Sequence, residues 1–301
     1  MKTFDEGLPQ FLSRKQISVH PKTYNGYVSK TKVFSLWLKD HGLSQKPLRE
    51  LTNDNIADFF VYIARDKDLD RPTCEKYCNN IKAVFQFFEE SEGITKLPFR
   101  NISYPIKKRD CAPKYIPKEK QKALLDDIRK NDPQLFLACM CQYSAAIRPG
   151  REMLNLKVKD FDFSGGTIKV SLLTAKTGKS RYADFTTELM QYCREYGIEN
   201  ADRELYVFGK KGKMGNKPIS ENMLRYRFNQ FRTKHGISTE IKLYSLKHTG
   251  LTDLINSKLV SLPQLQKHCG HTRLSSTEHY ILVHAGVTNE VIRNEFRSII
   301  G

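Results

Sequence analysis

A chain of 301 residues is longer than one hydrophobic core usually organises, so two domains are expected. Its 50 lysines and arginines against 33 acidic residues leave a formal charge of +17, which points to a polyanionic partner, with nucleic acid ahead of an anionic membrane and a solvated basic surface as the plain alternative. No stretch reaches the ~20 apolar residues that a bilayer-spanning helix needs, which excludes such a helix.

Residues 1–13 carry Asp5 and Glu6 and have no apolar run of the kind a secretory signal needs. The seven cysteines form no regular framework, as expected of reduced thiols, so a cytoplasmic protein is expected. A helix is expected from about Lys22 to Asp40, burying Tyr27, Phe34, Trp37 and Leu38. Ile56, Phe59, Phe60 and Ile63 fall at helical spacing behind Thr52 or Asn53 as cap. Tyr77, Ile81, Val84, Phe85 and Phe88 form a further stripe, entered through Arg71-Pro72. These aromatic stripes read as core, giving a small all-helical domain over residues 1–104.

Pro98, Pro105, Pro113 and Pro117 interrupt any helix between the two halves, and residues 105–116 read as a linker. Seven basic residues against two acidic ones lie between Arg100 and Lys120. Lys107, Lys108 and Arg109 could therefore follow a phosphate backbone.

Residues 117–301 form the second expected domain. A helix begins at Pro117 with Leu124, Leu125 and Ile128 on one face, and Asp132-Pro133 opens an apolar helix towards Ala146. Beyond Asp160 the period changes to two, in Thr167–Ser171 and Arg181–Phe185, each behind a glycine turn, so a small antiparallel sheet is expected. Leu205 to Phe208 is a candidate extra strand. Ser220 is placed to cap a helix running to about His235, with Leu224, Phe228 and Phe231 on its apolar stripe. From Val207 to His235 there are eight basic residues and one acidic, so Arg225, Arg227, Asn229 and Arg232 are candidates for the major groove. His268, Cys269 and His271 have no second ligand pair at a familiar zinc spacing.

Three segments carry the chemistry. They are Ala146-Ile147-Arg148-Pro149-Gly150-Arg151-Glu152, then Tyr244-Ser245-Leu246-Lys247-His248-Thr249-Gly250, and finally Cys269-Gly270-His271 followed by Ser276-Thr277-Glu278-His279-Tyr280. In this order they resemble the tyrosine recombinases of the phage integrase type along the whole chain. The nine-residue interval from His271 to Tyr280 is the one that family members show. The resemblance implies a mainly helical fold with a small antiparallel sheet, in which an N-terminal core-binding domain precedes a mixed α+β catalytic domain. It also implies Tyr280 as nucleophile, Arg148 and His271 on the phosphate, and Lys176 as general acid, with Lys179 its nearest rival. Glu152 would orient these groups.

The residue types suit the reaction. An attacked phosphodiester gains negative charge on its non-bridging oxygens, which fixed cations stabilise beyond the ground state. A guanidinium fork holds two such oxygens. A tyrosine, with a reference pKa of ~10, must lose its proton as it attacks.

Two departures stand out. The family's H-x-x-R box is Tyr244-x-x-Lys247 here, as in some integrases of bacterial mobile elements, so a phenol and an ammonium replace an imidazole and a guanidinium. Glu152 also follows Arg148 by four residues, where three is common, which makes Arg151 a minor rival. The resemblance implies double-stranded DNA as partner and a tetrameric synapse built from weakly associating protomers. Accessory DNA-bending proteins are candidate helpers, and the chemistry calls for neither metal nor nucleotide cofactor. The segment Asn289 to Ile300 is a candidate for docking on a neighbouring protomer. Two other readings share the fold: a catalytically impaired DNA-binding regulator, favoured by the altered box, and a relaxing enzyme of the type IB topoisomerase kind.

Overall fold

The structure is a computed structural model that describes residues 1–104, 114–171, 180–220, 222–275 and 277–278. The chain divides into two compact units, Met1–Cys111 and Ala112–Gly301.

The first unit is built from four helices, α1 (Phe4–Ser18), α2 (Pro21–Asp40), α3 (Asn53–Arg65) and α4 (Arg71–Phe87). Thr52 caps α3 in a reciprocal box with Asn55, and Asp70 caps α4. The aromatic stripes are core: Phe34 meets Phe4 and Phe59 edge to face, each with ring centroids 4.8 Å apart. Helix α1 was not legible as an element, because Gly7 and Pro9 interrupt its pattern. Gly7 belongs there on steric grounds, since a Cβ would sit 2.8 Å from the Phe88 ring.

The second unit is organised around an apolar helix, α6 (Pro133–Ala145), capped by Asp132 and buried over nearly its whole surface. A helix apolar all round must be enclosed. It is flanked by α5 (Lys118–Asn131), α8 (Thr187–Glu195), α9 (Met223–Lys234) and α10 (Ser245–Asn256). The short α7 (Arg151–Leu154) follows α6, and α11 (Leu262–Cys269) packs on α10 and on the sheet. Gly250 allows α10 to approach α6 closely, for a Cβ there would lie 2.0 Å from the Tyr143 carbonyl oxygen.

The sheet is antiparallel in the order β1 (Phe161–Asp162), β2 (Thr167–Val170), β3 (Arg181–Asp184), with Ile168 opposite Ala183. Ile168, Val170 and Ala183 face the core, while Lys169 and Tyr182 face outward. The mainly helical fold with a small sheet is thus the one expected.

Two local expectations are corrected. Leu205 to Phe208 forms no strand, because Tyr206 makes single bridges to Lys157 on one side and Gly215 on the other, and neither ladder continues. Ser220 does not cap α9 with its side chain. Its carbonyl accepts from Met223, and Asn222 occupies the cap position without a side-chain bond. Among the described residues no helix is long and apolar enough to cross a membrane.

Candidate active site

Four segments of the second unit, distant in sequence, meet at the C-terminal end of α6. The first is the turn after that helix. Ala146 ends α6 in the left-handed region at φ 52°, uncommon for a residue with a Cβ. Ile147 is buried and pins the turn, and Arg148 projects from it. The second segment is the start of β3, which carries Arg181. The third is the first turn of α10, with Tyr244 and Lys247. The fourth is the end of α11, where Gly270 takes φ 63° and His271 follows.

One carboxylate ties the cluster together. Glu152, only 2% exposed, accepts from Arg148 Nη1 at 2.6 Å and from the Arg148 backbone N–H at 3.1 Å. Its Oε2 also accepts from Arg181 Nη2 at 3.1 Å. Burial alone would raise the Glu152 carboxyl, but the Arg148 and Arg181 guanidiniums outweigh it and hold the group below its usual range. The four-residue interval that set Glu152 apart from the common motif therefore still brings it onto Arg148. Arg151, its rival, is exposed.

Lys247 is fully buried, and its Nζ has no hydrogen-bond partner among the described residues. Burial, and then the charge of Arg148, depress it to about 7, so its protonation is sensitive to pH in the neutral range. Tyr244 lies at the rim, its ring edge to face with His248 at 4.7 Å and within the electrostatic reach of Arg148. Burial raises its pKa, which keeps it a neutral phenol. His271 Nδ1 lies 3.0 Å from Thr277 Oγ1, and burial together with Lys247 and Arg148 lowers its pKa to about 4. It is a neutral imidazole at neutral pH, able to donate one hydrogen bond without carrying charge.

Arg148, Glu152, Tyr244, Lys247 and His271 are therefore brought together. Tyr280, Lys176 and Lys179 lie outside the described residues, as do Lys107, Lys108, Arg109 and the segment Asn289 to Ile300. Arg181 and Thr277 belong to the cluster and were not foreseen. Arg181 had a legible signal: it shares a strand face with Ala183, and an arginine on the core-facing side of a strand needs a buried acceptor. Thr277 had none, since a threonine before a tyrosine is ordinary. Among the described residues no three His, Cys, Asp or Glu side chains are grouped to hold a metal. His268 Nδ1 instead pairs with Asp184 at 2.8 Å.

The basic helix α9 is more selective than its composition implies. Arg225 is exposed and lines a cleft of about 410 Å³ with Asn229, Pro149, Gly150 and Tyr244, directly beside the arginine turn. Arg227 is held by Asp132 at 3.1 Å and Gln134 at 2.8 Å. Arg232 is buried and donates to the carbonyls of Thr239 at 2.9 Å and Ile241 at 3.2 Å. Arg232 is corrected from a groove-reading candidate to an internal brace, because it is buried and its Nη1 is held by two carbonyls of the following loop. Arg227 likewise has its fork engaged inside the protein.

Comparisons with known proteins agree with this geometry. Residues 114–285 match the phage integrase family. The tyrosine recombinase XerC of Staphylococcus saprophyticus is 25% identical over 291 residues, covering 94% of this chain and 91% of its own. The fold is that of the Tn1549 transposon integrase in complex with a circular intermediate DNA, with a TM-score of 0.74, 18% identity and coverage of 96% and 98%. A lambda integrase dimer bound to a core site gives 0.71, 18%, 93% and 95%. With the matched region spanning more than half of its length and enclosing the arginine turn, the Tyr244 to Lys247 box and the Gly-His pair, this chain belongs to the phage integrase family, the tyrosine recombinases.

Proposed function

We propose that this tyrosine-type site-specific recombinase cuts and rejoins double-stranded DNA through Tyr280. The Tyr280 oxygen attacks a phosphodiester, giving a 3′-phosphotyrosyl link and a free 5′-hydroxyl. The phenol proton passes to water as the new P–O bond forms, and as the old P–O bond breaks the departing 5′ oxygen takes a proton from Lys176, or from its rival Lys179. A 5′-hydroxyl from a partner strand then attacks the phosphotyrosine, releasing Tyr280. The bond energy stays in the protein link throughout, so no nucleotide is consumed.

Arg148 would hold two phosphate oxygens through its fork, fixed in direction by Glu152. His271 would donate one hydrogen bond to the same phosphate, and Tyr244 a second. Lys247 would stand where the family's box has an arginine, contributing a point charge once protonated. The reading rests on one observation above the others: Arg148, held by the buried carboxylate of Glu152, stands close enough to Lys247 and His271, from separate segments, for its charge to act on both, in a chain of this family. The rival reading, loss of catalysis with retention of the fold, gives no role to a buried lysine that has no hydrogen-bond partner among the described residues and whose pKa is held near neutrality beside Arg148 and Arg181.

The helical unit would act as a core-binding domain, the second unit as the catalytic one, and residues 105–116 would track the backbone with Lys107, Lys108 and Arg109. Arg225 would meet DNA from α9. Pairing of two duplexes implies a tetramer assembled on DNA, with accessory DNA-bending proteins as helpers, acting on DNA in the cytoplasm, and a mobile element is the natural setting. The test is to incubate the full chain with nicked duplexes drawn from the DNA flanking its gene. An adduct that survives denaturant is expected, together with joined products. No adduct across the panel would overturn the enzymatic reading, and relaxation of plasmids lacking any such segment would favour a topoisomerase.

A further inference from the structure

The geometry points to Arg181 as a positioning residue that sets the separation between Arg148 and His271. This rests on the functional reading above and concerns a residue that it does not use. Arg181 Nη1 donates to the His268 carbonyl at 3.1 Å, and Nη2 donates to the Ala146 carbonyl at 3.1 Å and to Glu152 at 3.1 Å. A single guanidinium thus spans the end of α11, three residues before His271, and the end of α6, two residues before Arg148. It also holds the carboxylate that orients Arg148.

Each of these anchors is built for the purpose. The side chain of Arg181 is 10% exposed, so its bonds are made away from bulk water, where geometry is enforced more strongly. Ala146 sits in the left-handed region, a conformation that persists only when its surroundings hold it. The Arg181 bond to its carbonyl is such a hold. At the other end, a Cβ on Gly270 would lie 2.3 Å from Arg181 Cδ, so the arginine stem lies directly against the Gly-His turn.

A lysine cannot replace this arrangement, because one ammonium lacks the two separate nitrogens that reach the His268 carbonyl on one side and the Ala146 carbonyl and Glu152 on the other. The fork is also turned towards protein acceptors, so its role is to place other groups, not to touch the phosphate. Displacement of a reacting group by about 1 Å costs on the order of 100-fold in rate.

The experiment compares wild type, Arg181→Lys and Arg181→Gln on one nicked duplex that wild type cleaves. Single-turnover adduct formation is expected to fall on the order of 100-fold in both variants, while Kd for the same duplex changes by less than about threefold. His271 imidazole titration, followed by NMR, separates charge from shape. Arg181→Gln removes one of the cations that depress His271 and should move its titration upward, whereas Arg181→Lys should leave it nearly unmoved although the rate falls. That split is not produced by loss of folding. Should Arg181→Lys fail to fold, Gly270→Ala perturbs the same contact from the other side, and slow cleavage with intact binding is again expected. Cleavage at the wild-type rate by a folded variant overturns the proposal and leaves Tyr280 untouched. Parallel loss of rate and binding overturns it in favour of a direct DNA contact. A wild type that forms no adduct overturns the functional reading, and the proposal with it.

Discussion

Glu152 grips Arg148 twice, through the guanidinium at 2.6 Å and through the backbone N–H at 3.1 Å, so one buried carboxylate fixes both the position and the direction of the arginine. Breaking such a pair strands a buried charge. Glu152→Gln keeps the shape and should destabilise the protein by ~3–5 kcal/mol at pH 7. The pH dependence has a definite sign. A carboxyl depressed by folding contributes stability that is complete above its unfolded value of ~4.3 and lost as pH falls through its lower folded value. Urea melts of the two proteins should therefore differ by a constant above about pH 5 and converge in acid. A difference that grows in acid contradicts this assignment.

Lys247 works in the opposite sense. Its folded pKa of about 7 lies below that of an unfolded lysine, ~10.4, so the charged form is costly to bury. Lys247→Met should stabilise the DNA-free protein by ~1–4 kcal/mol. The gain is full below pH 7 and fades as pH rises towards 10, because the unfolded lysine binds the extra proton in that window. The same variant should lose cleavage. Calorimetry of DNA binding at pH 8, in buffers of different ionisation enthalpy, should show proton uptake by wild type that Lys247→Met abolishes.

His271 is held neutral. Its NMR titration should fall near pH 4, where an exposed histidine titrates near ~6.5. Cleavage should show no inflection between pH 5.5 and 7 that His271→Gln removes, and finding one would mean that the imidazole acts as a cation.

Much of the fold could be read from the chain because its helices are amphipathic and capped. Thr52 and Asp132 stand at the helix starts expected of them, Pro72 lies in the first turn of α4, and α6 is apolar throughout because it is enclosed. Helix α1 escaped notice because its burial falls on Phe4, Gly7 and Phe11, and a glycine chosen to admit the Phe88 ring looks like a helix breaker. The site was legible as residue types in order, and Arg148, Tyr244, Lys247 and His271 do meet. Composition could not tell which arginines of α9 face outward. Arg225 and Arg232 lie two turns apart on the same side of the helix, yet Arg225 is exposed and Arg232 is buried, because carbonyls at Thr239 and Ile241, in the loop that follows, claim Arg232. Arg181 stands on the core-facing side of its strand, a signal the sequence does carry, but two of its three acceptors are backbone carbonyls, which have no mark in a sequence.

The contrast within α9 is testable. Arg225→Ala should weaken binding to all duplexes and lower the slope of log K against log salt by about 1, with an unchanged melting temperature. Arg232→Ala should do the reverse, costing ~1–3 kcal/mol of stability through unmet carbonyls and leaving the salt slope alone. Equal effects of the two on the salt slope would contradict the burial of Arg232.

The central claim is that Tyr280 forms the covalent bond, although another tyrosine, Tyr244, lies at the rim of the cluster near Arg148. The direct measurement is to trap the protein on a cleaved nicked duplex, digest both components and map the modified peptide by mass spectrometry. A 3′-phosphonucleotide on Tyr280, with no adduct in Tyr280→Phe and a slowed but detectable adduct in Tyr244→Phe, is the predicted result. Modification of Tyr244, or an adduct that persists in Tyr280→Phe, would contradict it.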